Sequence, residues 1–468
     1  MQMDFHYYAT YCAAFLSGYS HEECLSICWS AQFVDLCSLT LLKRLGAPRS
    51  AATTQLTMEM ADARMDLLGL QDTTRIWSSF HFLPYDLYAD RQGCSRTYRN
   101  KYRLICRPNG SLSEDTVKLA NGRSLQAVGL AMHVLADTWA HSNFAGTPSL
   151  VINNTSDYFY ELLPDGSKRK ITFRHSTSTP DDIEHGIYTN SLFQPKEAAV
   201  MNLGHGRAGH LPDYSFMRYE YLPAWGKYEE VIKDNPSDYL HAFCQMIAAM
   251  KYLRGIRPTY ERDQYDWEAV ALWREEIMSI LQRRQLDACA DWKAFGEKLS
   301  GCEIEDFDVT KYELEYTSAN EEMRQNTFLG QFFLAALQQK SMVTGKIFQS
   351  GNLLAGFSVD YSKKGFRGIR DFLGIVDQRR GMNKNDWFST CQSNSVRASD
   401  DCLLRRSGWL AGSGFSLDWA DRMCLSFGRR SALTNLLHNN GKAHGWRTAS
   451  VLQGTFYAGY RSVLPHDE

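Results

Sequence analysis

The opening 45 residues carry two apolar stretches separated by a break. Tyr7 to Leu16 is apolar apart from Thr10, Gly18-Tyr19 interrupts it, and Ser20-His21-Glu22-Glu23 has the S-x-x-E form of a capping box. The pattern predicts a first helix, then a second running to about Leu45 and ending at Gly46-Ala47-Pro48. Thr57 to Leu68, rich in Met and Leu, predicts another helix before Gly69. From Gln71 to Gly93 aromatics mix with turn residues, so irregular structure is expected there; residues 94 to 121 alternate enough to allow a short strand or loop ending at Pro108-Asn109-Gly110. The strongest pattern follows. Ser124 is a candidate N-cap, and Leu125 to His141 is apolar on most sides, with no Pro and one glycine, Gly129, which predicts a buried helix. Ser142 to Pro148 stops it. Residues 149 to 235 are loop-rich, with a small hairpin expected around Leu163 to Lys168. Helices return at roughly 237 to 253, 266 to 286 and 317 to 340, and the texture then changes to Gly, Ser, Arg and aromatics. The expected organisation is a mainly α, multi-helix domain over residues 1–344 and a basic, Gly/aromatic-rich, loop-rich C-terminal extension over 345–468.

The length of 468 residues, with 44% hydrophobic and 22% charged positions, excludes disordered and fibrous classes. No apolar run approaches the roughly 20 residues needed to cross a bilayer, so no transmembrane segment is expected. The first six residues lack the layout of a Sec signal peptide, which makes the cytoplasm the default location. A secreted effector toxin delivered by a signal-peptide-independent machine is the export route this leaves open. The 12 Cys never form a C-x-x-C pair, which argues against a thiolate zinc site and for reduced, structural thiols. Charge is uneven: residues 361–468 hold 16 Lys and Arg against 9 Asp and Glu, leaving 35 against 44 before them. The basic part would meet either an anionic surface, as peripheral membrane contact, or the acidic remainder of the chain.

His133, Asp137 and His141 stand at i, i+4 and i+8 in the apolar helix, a stripe about 80° wide on one face. Buried unpaired, two imidazoles and a carboxylate would be costly; a divalent ion or a hydrogen-bonded network would relieve that cost. The outer two lie roughly 12 Å apart along a straight axis, which suggests two or more ions bridged by Asp137 unless the helix bends or ends. Other oddly placed polar residues add to the set: Asp4 and His6 at the N-terminus, Asp35 within the second apolar stretch, His81 between Phe80 and Phe82, and His205 and Asp213 in the glycine-rich run Gly204 to Asp213. Arg207, in that run, is placed to contact a substrate phosphate.

The opening Asp4-Phe5-His6-Tyr7-Tyr8-Ala9-Thr10-Tyr11, the segment Ala31 to Asp35, the helix His133 to His141, and Gly204-His205-Gly206 with Pro212-Asp213 resemble an uncharacterised bacterial protein family that opens with this aromatic motif. The match covers roughly residues 1 to 300. The order of ligand types is similar to the zinc-dependent phospholipase C and single-strand nuclease superfamily. That resemblance implies a helical fold, two or three zinc ions, and ligands in the order His6, Asp35, His81, His133, Asp137, His141 and His205 with an acidic partner. The superfamily uses a processed N-terminal residue where this chain has Met1-Gln2-Met3, with Asp4 as the candidate substitute, and its final H-x-x-x-D/E motif is missing here.

Two ions about 3.5–4 Å apart suit phosphodiester hydrolysis, with Asp35 or Asp137 orienting the attacking water or taking its proton. The expected activity is that of a phospholipase C acting on phospholipid headgroups. A single-strand nuclease-like phosphodiesterase and a non-enzymatic protein with a structural metal site are the alternatives. Aromatics beside the ligands (Tyr7, Tyr8, Phe80, Phe82, Trp139) would stack bases, line a headgroup pocket, or belong to the core. G-x-S-x-G, Walker A, G-x-G-x-x-G and H-E-x-x-H motifs are all absent, and the adjacent His466-Asp467 pair sits at the end of the chain.

Overall fold

Ser124 opens the central helix as its sequence requires: the Ser124 hydroxyl accepts from the Ala127 N–H at 3.4 Å, and Leu125–Ala140 follows with only its first residue free of heavy burial. A helix so apolar must be surrounded. The helices His21–Phe33, Ser111–Ala120, Asn235–Leu253 and Phe328–Gln349 all pack on it. The tightest approach is at Gly129, where an added Cβ would lie 2.2 Å from the Ile27 carbonyl oxygen and 2.7 Å from Ser30 Cβ. The computed structural model describes residues 1–63, 67–89, 96–174, 179–190, 202–225 and 229–352, and these form a mainly helical body with a small sheet.

The N-terminal region is built as expected at its caps. Ser20 and Glu23 form the reciprocal capping box, with Ser20 N–H donating to Glu23 Oε2 at 2.7 Å and Glu23 N–H to Ser20 Oγ at 3.3 Å. The second helix does not reach Leu45. It ends at Phe33, the chain turns through 34–37, and a separate helix spans Leu39–Leu45 with Ser38 as its cap. The break is stabilised from elsewhere in the chain: Thr53 Oγ1 donates to the Val34 carbonyl at 2.6 Å and Thr53 N–H to the Cys37 carbonyl at 3.0 Å. Before it, Asp4–Ala9 is a π-helical turn that continues into Thr10–Leu16.

Two other expectations are overturned. Leu67–Phe80 is helical where irregular structure was expected from Gln71 on, because Ile76, Trp77 and Phe80 form a buried apolar side and Thr74 returns its hydroxyl to the Leu70 carbonyl at 3.1 Å. Arg96–Tyr102 and Ser111–Ala120 are helices where a short strand or loop was expected. Leu112, Thr116, Val117 and Ala120 bury at helical spacing in the latter.

The hairpin is present: Thr155–Leu162 pairs antiparallel with Lys168–Lys170, and the sheet continues through Arg218–Pro223 to Val231–Asp234. Late in the chain, Asn235–Leu253 is one helix, while 266–286 divides into Trp267–Val270, the 3-10 turn Ala271–Trp273 and Arg274–Gln282. Cys289–Ser300 is a further helix. The boundary expected near 345 falls inside Phe328–Gln349. The basic region and Trp387, Trp409, Trp419 and Trp446 lie outside the described residues. Among the described residues no helix is long and apolar enough to cross a membrane. Cys12, Cys24, Cys28, Cys37, Cys106 and Cys244 are buried free thiols, as small hydrophobes should be.

Candidate metal centre

All the donors except His133 and Asp137 arrive from an element's end, a turn or a loop. The π-turn presents His6, the break after Phe33 presents Asp35, the end of Leu67–Phe80 presents His81, and the glycine-rich run ends in a 3-10 turn, Leu211–Asp213, that presents Asp213. In that run Gly209, at φ +58°, lies so close to Thr189 that a Cβ would sit 1.9 Å from its carbonyl oxygen, so only glycine allows the loop to close down. His133 and Asp137 come from successive turns of the central helix. His141 is its C-cap, at φ −85° and ψ 13°, with its N–H still donating to the Asp137 carbonyl at 2.9 Å, so its separation from His133 along the axis stands and the two imidazoles serve different donor groups.

Asp137 is the centre of the arrangement. Its Oδ1 lies 2.8 Å from the Met1 amino nitrogen and 3.1 Å from His6 Nε2, and its Oδ2 lies 3.1 Å from both His81 Nδ1 and His133 Nε2. Asp35 Oδ1 stands 3.8 Å from His81 Nδ1 and 3.9 Å from His133 Nε2. On the other side, Asp213 Oδ1 is 3.3 Å from His141 Nε2 and 3.7 Å from His205 Nε2. The donors thus fall into His6, His133 and Asp137; Asp35, His81 and His133; and His141, His205 and Asp213. The first and third groups meet at the Met1 nitrogen, which is 2.8 Å from Asp137 Oδ1, 3.2 Å from His141 Nε2 and 3.5 Å from Asp213 Oδ1, and Asp137 Oδ2 lies 3.5 Å from His141 Nδ1.

These residues fit a metal ion. A tetrahedral shell of roughly 2.0–2.1 Å bonds sets its donor atoms about 3.4 Å apart, and the spacings here bracket that. Three imidazoles are oriented from behind, each directing one nitrogen to a backbone carbonyl and the other to the cluster: His81 Nε2 to Thr53 O at 3.1 Å, His141 Nδ1 to His81 O at 2.8 Å, and His205 Nδ1 to Gly209 O at 2.7 Å. Fully buried His6 makes no hydrogen bond of good geometry through either ring nitrogen, and neither does His133 through Nδ1. A network built only from hydrogen bonds would leave fewer such atoms.

Electrostatics agree. Burial drives His6 down to about 3 and His133 and His205 to about 4, which keeps them neutral and able to donate a lone pair. Burial alone would raise Asp137, but His141, the Met1 amine, His133 and His6 hold its carboxyl well below the usual carboxylate range. Asp213 is held low in the same way, by His205, the Met1 amine and its bonds to His141 and His210. Asp35 is raised, chiefly by burial. Against burial, Asp137 and Asp213 lift the Met1 amine to about 10.

Eight of the nine expected metal donors therefore converge. Asp4 does not. Its carboxylate accepts from the Phe5 N–H at 2.7 Å, and burial with nearby Asp287 pushes it up to about 7; the Met1 nitrogen occupies the place beside Asp137 instead. A carboxyl that stays protonated in the folded chain above its ordinary 3.8 costs stability as pH rises from about 4 to 7. Asp4→Asn should accordingly gain about 2–4 kcal/mol at pH 8, and less than half of that at pH 5. Urea unfolding at both pH values checks this, and a gain independent of pH would contradict it. Arg207 is buried, not on the loop surface, and its carbonyl accepts from Asn190 Nδ2 at 3.0 Å. His210 was not counted as a site residue, yet its Nδ1 lies 3.1 Å from Asp213 Oδ2; its i, i+3 spacing to Asp213 was the available signal.

Every donor lies within residues 1–347, which match the model of a family of unknown function, DUF6765. The chain belongs to this DUF6765 family. No curated protein and no solved structure matches it.

Proposed function

We propose that this DUF6765 protein is a zinc-dependent phosphodiesterase of the phospholipase C type. The carrying observation is Asp137 standing between two sets of His/Asp donors, the arrangement a multi-ion site needs. Zinc bound there would supply Lewis acidity, acidifying a water and offsetting charge on a phosphate. The protein's own groups divide the remaining work. Both oxygens of Asp137 are engaged by buried partners, so it serves as a holder and not as a base. Asp35 is the most exposed carboxylate of the cluster, its side chain 14% accessible, and burial raises its proton affinity; it is the residue placed to take a proton from the attacking water. In the third group His205 is the most exposed donor, its side chain 13% accessible.

Nucleic acid is disfavoured by charge. Tyr7, Tyr8, Phe80, Phe82 and Trp139 are all buried and belong to the core, so they form neither a stacking platform for bases nor the wall of a headgroup pocket. The excess of acidic residues before position 361 repels a polyanion. The depth of the donors, with His6 and His133 fully buried, favours a second reading, a closed structural metal site. Zinc-loaded protein should hydrolyse bis-p-nitrophenyl phosphate and release phosphocholine from phosphatidylcholine vesicles, while leaving single-stranded DNA intact. Cleavage of DNA without lipid turnover would move the assignment to a nuclease; bound zinc with no turnover of any diester would leave the structural reading.

A further inference from the structure

Trp139 lies two residues beyond Asp137, about 200° round the helix, and so faces away from the metal donors. Its indole N–H donates to Gln245 Oε1 at 2.7 Å, and its ring stacks on His241 with centroids 5.3 Å apart. His241 is wedged further by the edges of Trp267, at 5.0 Å, and Tyr265, at 5.6 Å. Its Nδ1–H donates to the Ser237 carbonyl at 2.7 Å, one turn back, and this leaves Nε2 without a protein partner among the described residues. The imidazole is thus held on all sides but one.

The open side faces a cavity of about 500 Å³ lined by Ser237, Leu240, His241, Trp267, Arg274 and Met278, a size suited to a small ligand. Arg274 is the one lysine, arginine, aspartate or glutamate among these lining residues. Its guanidinium lies 5.7 Å from the Trp267 ring centroid, and among the described residues no carboxylate comes within ion-pair distance of it. A cation without a counter-ion, a fixed imidazole and an indole face therefore converge on one groove with no acidic group in its lining.

We infer that this groove binds a small organic anion that carries a flat ring. Arg274 takes the anionic group, which its fork suits whether it is a phosphate or a carboxylate, His241 Nε2 accepts from a hydroxyl of the ligand, and the ring lies against Trp267 between Leu240 and Met278. The site is separate from the metal centre and does not depend on the phosphodiesterase assignment.

Isothermal titration of the full chain with phenyl phosphate tests it. One saturable site is expected, at least tenfold weakened by Arg274→Gln and by Trp267→Ala, and unchanged in Asp137→Asn. Inorganic phosphate should bind at least tenfold more weakly than phenyl phosphate, because it lacks the ring, and benzoate shows whether the site prefers carboxylate. Thermal unfolding of Arg274→Gln, Trp267→Ala and Asp137→Asn establishes that each variant is folded at the temperature of the titration. Absence of saturable binding, binding that survives Arg274→Gln, or binding lost in Asp137→Asn but kept in Arg274→Gln would overturn the inference; the last of these would place the anion at the metal centre.

Discussion

Asp137→Asn will empty the whole centre of metal, whereas Asp213→Asn will release only the ion held by His141, His205 and Asp213. The asymmetry follows from position. Asp137 meets His6 Nε2 and His133 Nε2 at 3.1 Å and, on the other side, the Met1 amine that stands 3.2 Å from His141 Nε2, while Asp213 touches His141, His205 and His210 alone among the histidines. The metal-free protein should suffer as well, because the amide leaves the Met1 amine inside the core without its nearest counter-charge, 2.8 Å away in the native chain. Removing one partner of a buried ion pair costs about 3–5 kcal/mol. Elemental analysis with urea unfolding of both variants measures the two effects together. Equal metal loss in both would refute the role of Asp137 as the shared carboxylate.

Gly129→Val will destabilise the protein by about 3 kcal/mol or more, at the upper end of overpacking costs. The first added carbon would sit 2.2 Å from the Ile27 carbonyl oxygen, which is backbone and cannot swing aside. The central helix and His21–Phe33 must then part. Gly129 lies one turn before His133, and His21–Phe33 leads directly into Asp35, so the wedge opens the 3.9 Å gap between Asp35 and His133. Metal affinity should fall along with stability. Gly345→Ala is the control: nothing lies within 4 Å of a Cβ there, in the helix Phe328–Gln349, and the change should be neutral or stabilising by up to about 1 kcal/mol. Urea unfolding of both variants decides, and equal stabilities would contradict the packing account.

What could be read from the chain before its fold was known is what depends on neighbours in sequence. The Ser20 capping box, the Ser124 cap, the hairpin and the i, i+4, i+8 spacing of His133, Asp137 and His141 are local, and all are present. The break at Asp35 is not local, since Thr53 reaches back to stabilise it. Nor is the end of the helix before His81 visible in a run where buried aromatics resemble turn-rich irregular chain. Asp4 illustrates the opposite error: it was the candidate substitute for an N-terminal ligand, but residues two apart on a helical turn do not face the same way, and it turns from the site to which His6 points. Its carboxylate turns to the Phe5 N–H, and the Met1 nitrogen meets Asp137. A glycine-rich run reads as open loop, whereas Gly209 lets this one press down on Thr189, and Arg207 within it is buried.

The most direct test of the metal centre is elemental analysis of the purified full chain, dialysed against metal-free buffer without chelator. Two or three zinc ions per chain are predicted, with one lost in Asp213→Asn. Wild-type protein that neither retains nor takes up a divalent ion would contradict the account and return His6, His81, His133, His141 and His205 to a buried polar network around Asp137 and Asp213.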